Sequence, residues 1–208
     1  MGLRRSVYQG HSDEELMQAV VQKDQKAFSV LYDRYGDRVY NYFFRLLWKD
    51  KEKAEDFAQE LFMKVIHHGE NFDGSRQFKT WLFSIANNMC KNEYRKQEVR
   101  KNAHPELHYQ ASMNQTELPQ DQLDQQGFEQ ALAMALLAMD EAKRTTFELR
   151  YKEEMSIKEI SEILDCSEGT IKSRLFYTLK HLNQELKTYE GMLVALACIL
   201  LPYITTIG

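Results

Sequence analysis

The spacing of apolar positions divides the chain into helices. Residues 12–21 open with Ser-x-x-Glu (Ser12, Glu15), a capping box in which each side chain satisfies the other residue's free backbone N–H, and Leu16, Met17, Val20 and Val21 follow on one side. From Asp24 onward, Ala27, Phe28, Leu31, Tyr32 and Tyr35, then Val39, Tyr40, Phe43, Phe44 and Leu47, recur at helical spacing. They predict one long aromatic-rich helix with room for a bend at Gly36, its rings serving as core rather than as a ligand platform. Lys51 to His68 forms the next helix, with Ala54, Phe57, Ala58, Leu61, Val65 and Ile66 on its inner face. A polar loop, Gly69 to Arg76, leads into Gln77–Lys101, where Trp81, Leu82, Ile85, Ala86 and Met89 supply the buried side.

Periodicity then dissolves. Asn102 to Gln126 is rich in Gln, Asn and acids, carries Pro105 and Pro119, and reads as a flexible linker. Two helices between Phe128 and Tyr151 follow, and beyond them SIKEISEILDCSEGTIKSRLFYTLKHL, from Ser156 to Leu182. Ser156 and Glu159 make a second capping box, with Met155 and Ile160 at the positions of a hydrophobic staple. After a very short turn, Ser167 can cap a further helix in which Ile171, Leu175, Leu179, Leu182 and Leu186 form the packing stripe. Two helices with so tight a turn suit a DNA-reading helix-turn-helix, and they are also a common packing unit; the pattern by itself leaves both open. The fold expected is all-α: two small helical domains, 12–101 and 128–187, joined by a flexible linker (102–127), the C-terminal one containing a helix-turn-helix. A hydrophobic tail, 188–208, ends the chain.

What the outward faces carry differs from helix to helix. On Lys51–His68 the exterior is acidic, with Glu52, Glu55, Asp56, Gln59, Glu60 and part of Phe62, a surface able to dock on a basic partner. On Gln77–Lys101 it is cationic and amide-bearing: Lys79, Asn87, Asn88, Lys91, Asn92, Arg95, Lys96, Arg100 and Lys101. Amides can read base edges and cations can follow a phosphate backbone, with Phe72, Phe78 or Tyr94 available to stack an unpaired base. On the helix after Ser167, Gly169, Lys172, Ser173, Arg174, Phe176, Tyr177 and Lys180 face outward, cations for phosphates and short polar groups for base edges.

Composition narrows the possibilities. A formal charge of −4 over 208 residues argues against indiscriminate coating of nucleic acid, so DNA contact must come from local basic surfaces or be assisted by a partner. Three cysteines, far apart, give neither a disulfide framework nor zinc spacing, and a reducing cytoplasm is the expected compartment. The N-terminus lacks the apolar stretch of a signal peptide. No nucleophile paired with a base, no phosphate-cradling glycine loop and no metal spacing is present in the sequence, so neither an enzyme nor a cofactor is expected. His67-His68 point about 100° apart on a helix and suggest no metal site, and His104-Pro-Glu-Leu-His108 has its glutamate misplaced for the zinc-protease motif.

Taken in order, three blocks resemble one family, the bacterial RNA polymerase sigma factors of the sigma-70 family, in the extracytoplasmic function (ECF) class. AEDFAQELFMKV (54–65) is similar to its core-polymerase-binding helix, FKTWLFSIANNMCKNEYRK (78–96) to its −10 element helix, and FELRYKEEMSIKEISEILDCSEGTIKSRLFYTLKHL (147–182) to its −35 element domain; with AFSVLYDRYGDRVYNYFFR (27–45) they cover most of residues 12–187. Two departures are modest: Asn92 stands where many members have Asp, and Ser161 where Ala is usual.

The resemblance implies a promoter-specificity subunit. Asp56, Gln59, Glu60 and Phe62 would dock on core RNA polymerase; the 69–76 loop with Phe78, Asn88, Lys91, Asn92, Arg95 and Lys96 would hold the melted −10 strand. Gly169, Thr170, Lys172, Ser173, Arg174, Phe176, Tyr177 and Lys180 would meet the duplex −35 element, and an anti-sigma factor is an implied partner. The competing reading is a stand-alone helix-turn-helix repressor or activator, which gives the acidic helix nothing to do. The tail, with its apolar run Met192–Leu201, is short for a membrane span of about 20 residues. Packing on a domain, binding a partner and membrane contact all remain open for it.

Overall fold

The computed structural model of the chain describes residues 8, 10–103 and 125–189. The tail from residue 190 on and the centre of the expected linker, 104–124, lie outside the described residues. Eight α-helices occupy the described residues: α1 (Asp13–Val21), α2 (Gln25–Leu46), α3 (Lys51–His67), α4 (Phe78–Ala103), α5 (Gln125–Leu137), α6 (Glu141–Phe147), α7 (Ile157–Leu164) and α8 (Glu168–Glu185). No strand occurs among them, as the spacing of apolar residues requires. They group into two compact units, one of residues up to Gln97 together with Lys158–Asp165, the other of Glu98–Ile157 and the chain from Cys166.

Most helices begin where the sequence offers a cap. The Ser12–Glu15 box is formed in both directions, at 2.8 and 3.1 Å. Asp24 caps α2, Asp50 caps α3, Asp140 caps α6 and Ser167 caps α8, each accepting from the first turn. Asp24 also accepts from the Tyr8 hydroxyl, and that bond with those from Ala27 and Lys26 holds its carboxyl below the usual range.

In the first unit α2 is central and packs on α1 and α3. Leu31, Val39, Tyr42, Phe43 and Leu46 are fully buried along it, the aliphatic side chains and Phe43 each contributing about 1.5–3 kcal/mol by leaving water. Phe83 of α4 meets Tyr42 edge-on at 5.2 Å, and Phe57 of α3 meets Phe43 at 5.4 Å. α2 runs unbroken through Gly36, over which the Tyr32 ring lies. Gly69 opens a short 3-10 turn after α3 (Gly69–Asn71) where the Met17 side chain comes close: a Cβ there would sit 2.4 Å from Met17 Cε, so that methyl would have to shift. Tyr35 donates to Asp13, and burial with that carboxylate pushes its phenol well up.

In the second unit α5 and α6 pack on α8 around Phe128, Leu132, Leu136, Phe147, Leu182 and Leu186. Tyr189 closes the far end, its ring 5.7 Å from Phe128. α6 passes into a wide π-type turn, Glu148–Lys152, whose last bond runs from the Glu153 N–H to the Glu148 carbonyl at 3.1 Å. Arg150 then donates to the Met155 carbonyl at 2.5 Å, pinning the approach to α7. Three residues, Asp165 to Ser167, separate α7 from α8, and Asp165 takes a left-handed φ of 50° to make the turn.

Candidate functional site

Three exposed faces carry the groups singled out in the sequence. On α3, Asp56, Gln59 and Glu60 stand in solvent at i, i+3 and i+4, so they share one surface. Glu60 pairs with Lys64 at 3.1 Å. Beside them Met63 is 52% exposed and Ile66 45%, placing apolar surface next to the acids. Phe62 does not join this face. It is 4% exposed, packed against Tyr32 at 4.8 Å and Phe28 at 6.1 Å, so the sequence reading of Phe62 as a docking aromatic is corrected. The buried arc of α3 is turned toward Phe62 and away from Ile66, because two α2 rings reach over to it.

On α4 the exposed residues include Asn88, Lys91, Asn92, Arg95 and Lys96, in keeping with a cationic and amide-bearing surface. Phe78 is corrected too: it is fully buried, with Tyr35, Phe72 and Trp81 around its ring at 5.4–6.0 Å, and cannot receive a base. Its backbone N–H donates to Glu14 Oε1 at 2.9 Å, which fixes the start of α4. Phe78 therefore positions the helix. Asn87, expected outside, is buried, its amide donating to the Ile163 carbonyl at 3.4 Å within the same unit. Trp81, expected in the core, is half-buried against Phe72 at 5.3 Å. In the preceding loop Asp73 accepts from the Ser75 N–H and hydroxyl at 3.0 and 2.7 Å, and these bonds hold its carboxyl below the usual range.

Further along α4 is a group that periodicity did not reveal. Tyr94 is half-buried, its hydroxyl donating to the Leu46 carbonyl at 2.7 Å. Against it, edge-on at 5.3 Å, stands Trp48, 41% exposed, with the Lys53 ammonium over its ring at 5.8 Å. Lys53 also pairs with Glu93 at 2.8 Å. Burial alone would raise the Glu93 carboxyl, but the bonds from Lys53 and Gln97 outweigh it and the net shift is downward. The available signal was an aromatic just past the end of an apolar helix, in the place where a helix stop favours glycine.

On α8, Gly169, Ser173, Phe176, Tyr177 and Lys180 are exposed, and Thr170, Lys172 and Arg174 half-buried. Ser167 Oγ accepts from the Thr170 N–H at 3.1 Å, fixing the first turn. Arg174 reaches Cys166 Sγ at 3.7 Å, and the rings of Phe176 and Tyr177 meet edge-on at 5.4 Å. Ile171, Leu175, Thr178 and Leu182 form the buried stripe, so the outward face is fixed by packing. Beside it an open hollow of about 550 Å³ is lined by Met139, Lys143, Tyr177, Lys180 and His181. Among the described residues no cluster of three His, Cys, Asp or Glu could hold a metal, and no helix is long and apolar enough to cross a membrane.

Comparison with known proteins agrees with this layout. Residues 31–100 match the family model for Sigma-70 region 2, and residues 129–182 that for Sigma-70, region 4. The chain is 31% identical over 177 residues to the ECF RNA polymerase sigma factor SigW of Bacillus subtilis, covering 79% of this chain and 91% of that protein. It is 30% identical over 173 residues to the ECF RNA polymerase sigma-E factor of Haemophilus influenzae, covering 79% and 90%. Among solved structures it resembles the sigma factor RpoE in complex with the anti-sigma factor NepR from Bartonella quintana, with a TM-score of 0.62 and 25% identity over 78% of this chain and 98% of that one. CnrH, in complex with the cytosolic domain of CnrY, shares the fold with a TM-score of 0.63 at 23% identity, over 85% of this chain and 97% of that one.

Proposed function

Since the chain belongs to the ECF class of sigma-70-family RNA polymerase sigma factors, we propose that its three exposed faces divide the work of promoter recognition and opening. As a sigma factor it binds core RNA polymerase, directs it to promoters and promotes melting of the DNA. Asp56, Gln59 and Glu60 of α3 dock on the polymerase, with Met63 and Ile66 supplying apolar contact. Asn88, Lys91, Asn92, Arg95 and Lys96 of α4, with the 69–76 loop, hold the melted −10 strand. Gly169, Thr170, Lys172, Ser173, Arg174, Phe176, Tyr177 and Lys180 of α8 enter the major groove of the −35 element.

The observation that carries this assignment is the separation of charge: an acidic face on α3 and a cationic one on α4, within a chain of net charge −4. Polymerase binds the first and brings DNA to the second, so a negative protein need not find DNA unaided. Strand separation then follows from differential affinity. A surface that binds the unpaired strand shifts the duplex toward the open form, and no bond hydrolysis by this chain is required. An anti-sigma factor, such as the one on the RpoE relative, is the regulator we assign to this chain.

Run-off transcription with core polymerase, with and without the protein, tests the assignment. Discrete transcripts should require the wild-type chain and disappear with Asp56→Arg/Glu60→Arg. A protein that shifts duplex DNA alone and leaves polymerase unredirected would instead be a stand-alone helix-turn-helix regulator.

A further inference from the structure

α2 ends at an unusual residue. Leu47 is its C-cap, and the Lys49 N–H returns to the Phe44 carbonyl at 2.9 Å, the six-to-one bond of a Schellman stop. The residue after such a cap must be left-handed, which is why glycine is the rule there. Here it is Trp48, with φ of 57°, followed by Lys49 with φ of 60°. A bulky aromatic in that conformation is strained, and strain of this kind persists where neighbouring groups over-determine the pose.

Those neighbours are present. Tyr94 is locked by its bond to Leu46 and meets the indole at right angles, 5.3 Å between ring centres; Lys53, held by Glu93, stands over the ring. The indole is nonetheless 41% exposed, so burial does not account for keeping tryptophan at a position that favours glycine. Tyr94 is one residue from Arg95 and three from Lys91 on α4, which sets the indole at the border of the cationic face; Lys49 and Lys51, close by in the chain, are exposed as well.

The geometry points to Trp48 as a stacking residue for an unpaired base of the opened promoter strand, extending the α4 face beyond its polar residues. This rests on the assignment of α4 to the −10 strand. An aromatic face flanked by cations is the arrangement that grips single-stranded nucleic acid, the ring taking a base and the cations the backbone. Duplex DNA offers no free base face to an indole, whereas a melted strand does. Trp48 thereby favours the open form, and the strained backbone keeps its ring at the edge of α4.

The test uses the full chain assembled with core polymerase on a promoter bearing 2-aminopurine at single positions of the opened −10 strand. Wild-type holoenzyme should quench the probe at one position, and Trp48→Phe, which keeps a stacking ring, should retain most of the open-complex occupancy. On a promoter whose −10 strand is held unpaired by mismatches Trp48→Gly should release the quenching, and on the fully paired promoter the same variant should lower open-complex occupancy about tenfold, within the range that one base–aromatic stack supplies. Glycine relieves the left-handed strain and forfeits the indole's packing on Tyr94 and Lys53, so emission is compared well below each variant's melting temperature and at matched core binding, which separates the effect from misfolding. Unchanged emission at every position with Trp48→Gly, while wild-type holoenzyme opens the promoter, would overturn the stacking role alone. Loss of signal at all positions in parallel with lost core binding would make Trp48 a docking residue and also overturn it. A wild-type holoenzyme that opens no promoter would remove the α4 assignment itself.

Discussion

Replacing Phe62 by alanine separates the docking face of α3 from the core beneath it. Phe62 is 4% exposed and contacts two α2 rings, Tyr32 at 4.8 Å and Phe28 at 6.1 Å. Truncating a buried phenylalanine costs about 3–5 kcal/mol, through lost transfer energy and the cavity left behind. For a domain of this size 3 kcal/mol corresponds to a fall of roughly 12–24 °C in melting temperature. Asp56→Arg/Glu60→Arg, on the exposed side of the same helix, should change stability by no more than about 0.5 kcal/mol per site. Urea unfolding followed by circular dichroism, with a core-polymerase titration well below each variant's melting point, measures both quantities. Phe62→Ala should lose stability and keep most of its core affinity when cold; the charge reversal should keep stability and lose affinity. Were Phe62→Ala to unfold like wild type and fail to bind core, the ring would be a contact residue and the packing argument wrong.

Two further perturbations address other helices. Removing the α8 cap with Ser167→Ala takes away the acceptor 3.1 Å from the Thr170 N–H and should cost about 1 kcal/mol of stability. Thermal melts give that cost, and −35 promoter titration of the holoenzyme should show a several-fold weaker complex. Glu93 has a depressed carboxyl, so its contribution is complete above the ordinary value of 4.5 and is lost as pH falls through the lower folded-state value. Glu93→Gln should therefore flatten the acid limb of a melting-temperature profile below about pH 4.5 relative to wild type. An unchanged limb would exclude the Lys53–Glu93 pair as an acid-labile tie.

Helix starts were legible in the sequence because caps are local. Ser12 with Glu15, and later Ser167, signal their own role within four residues, and the structure forms those bonds. The inward stripe of α8 was equally clear, since Ile171, Leu175 and Leu182 repeat at spacings of four and seven, while Phe176 and Tyr177 fall off that stripe and are exposed. α3 was harder. Leu61, Phe62, Met63, Val65 and Ile66 crowd so many apolar groups into two turns that periodicity alone cannot say which edge turns inward; the choice fell to Phe28 and Tyr32, about thirty positions earlier. Phe78 illustrates the same limit: its cage comes from Tyr35, Phe72 and Trp81, and only assembly shows that nothing of the ring is left for a ligand. Trp48 escaped notice because it lies just outside a helix, where periodicity stops carrying information.

The wide turn after α6 constrains chain length as well as identity. Its closing bond joins Glu153 to Glu148, so it holds one residue more than the α-helical turn it replaces. Each added helical residue rotates the downstream chain by about 100°, so removing one between Glu148 and Lys152 would yield a more regular helix that releases the chain in another direction. Arg150 would then lose its alignment with the Met155 carbonyl, and Ser156 would arrive at a different angle. Substitution in this stretch is a matter of side chains, whereas a single-codon deletion is a matter of heading. Between relatives, a gap placed here should mark a change in how α7 and α8 are presented, even where every motif residue is retained.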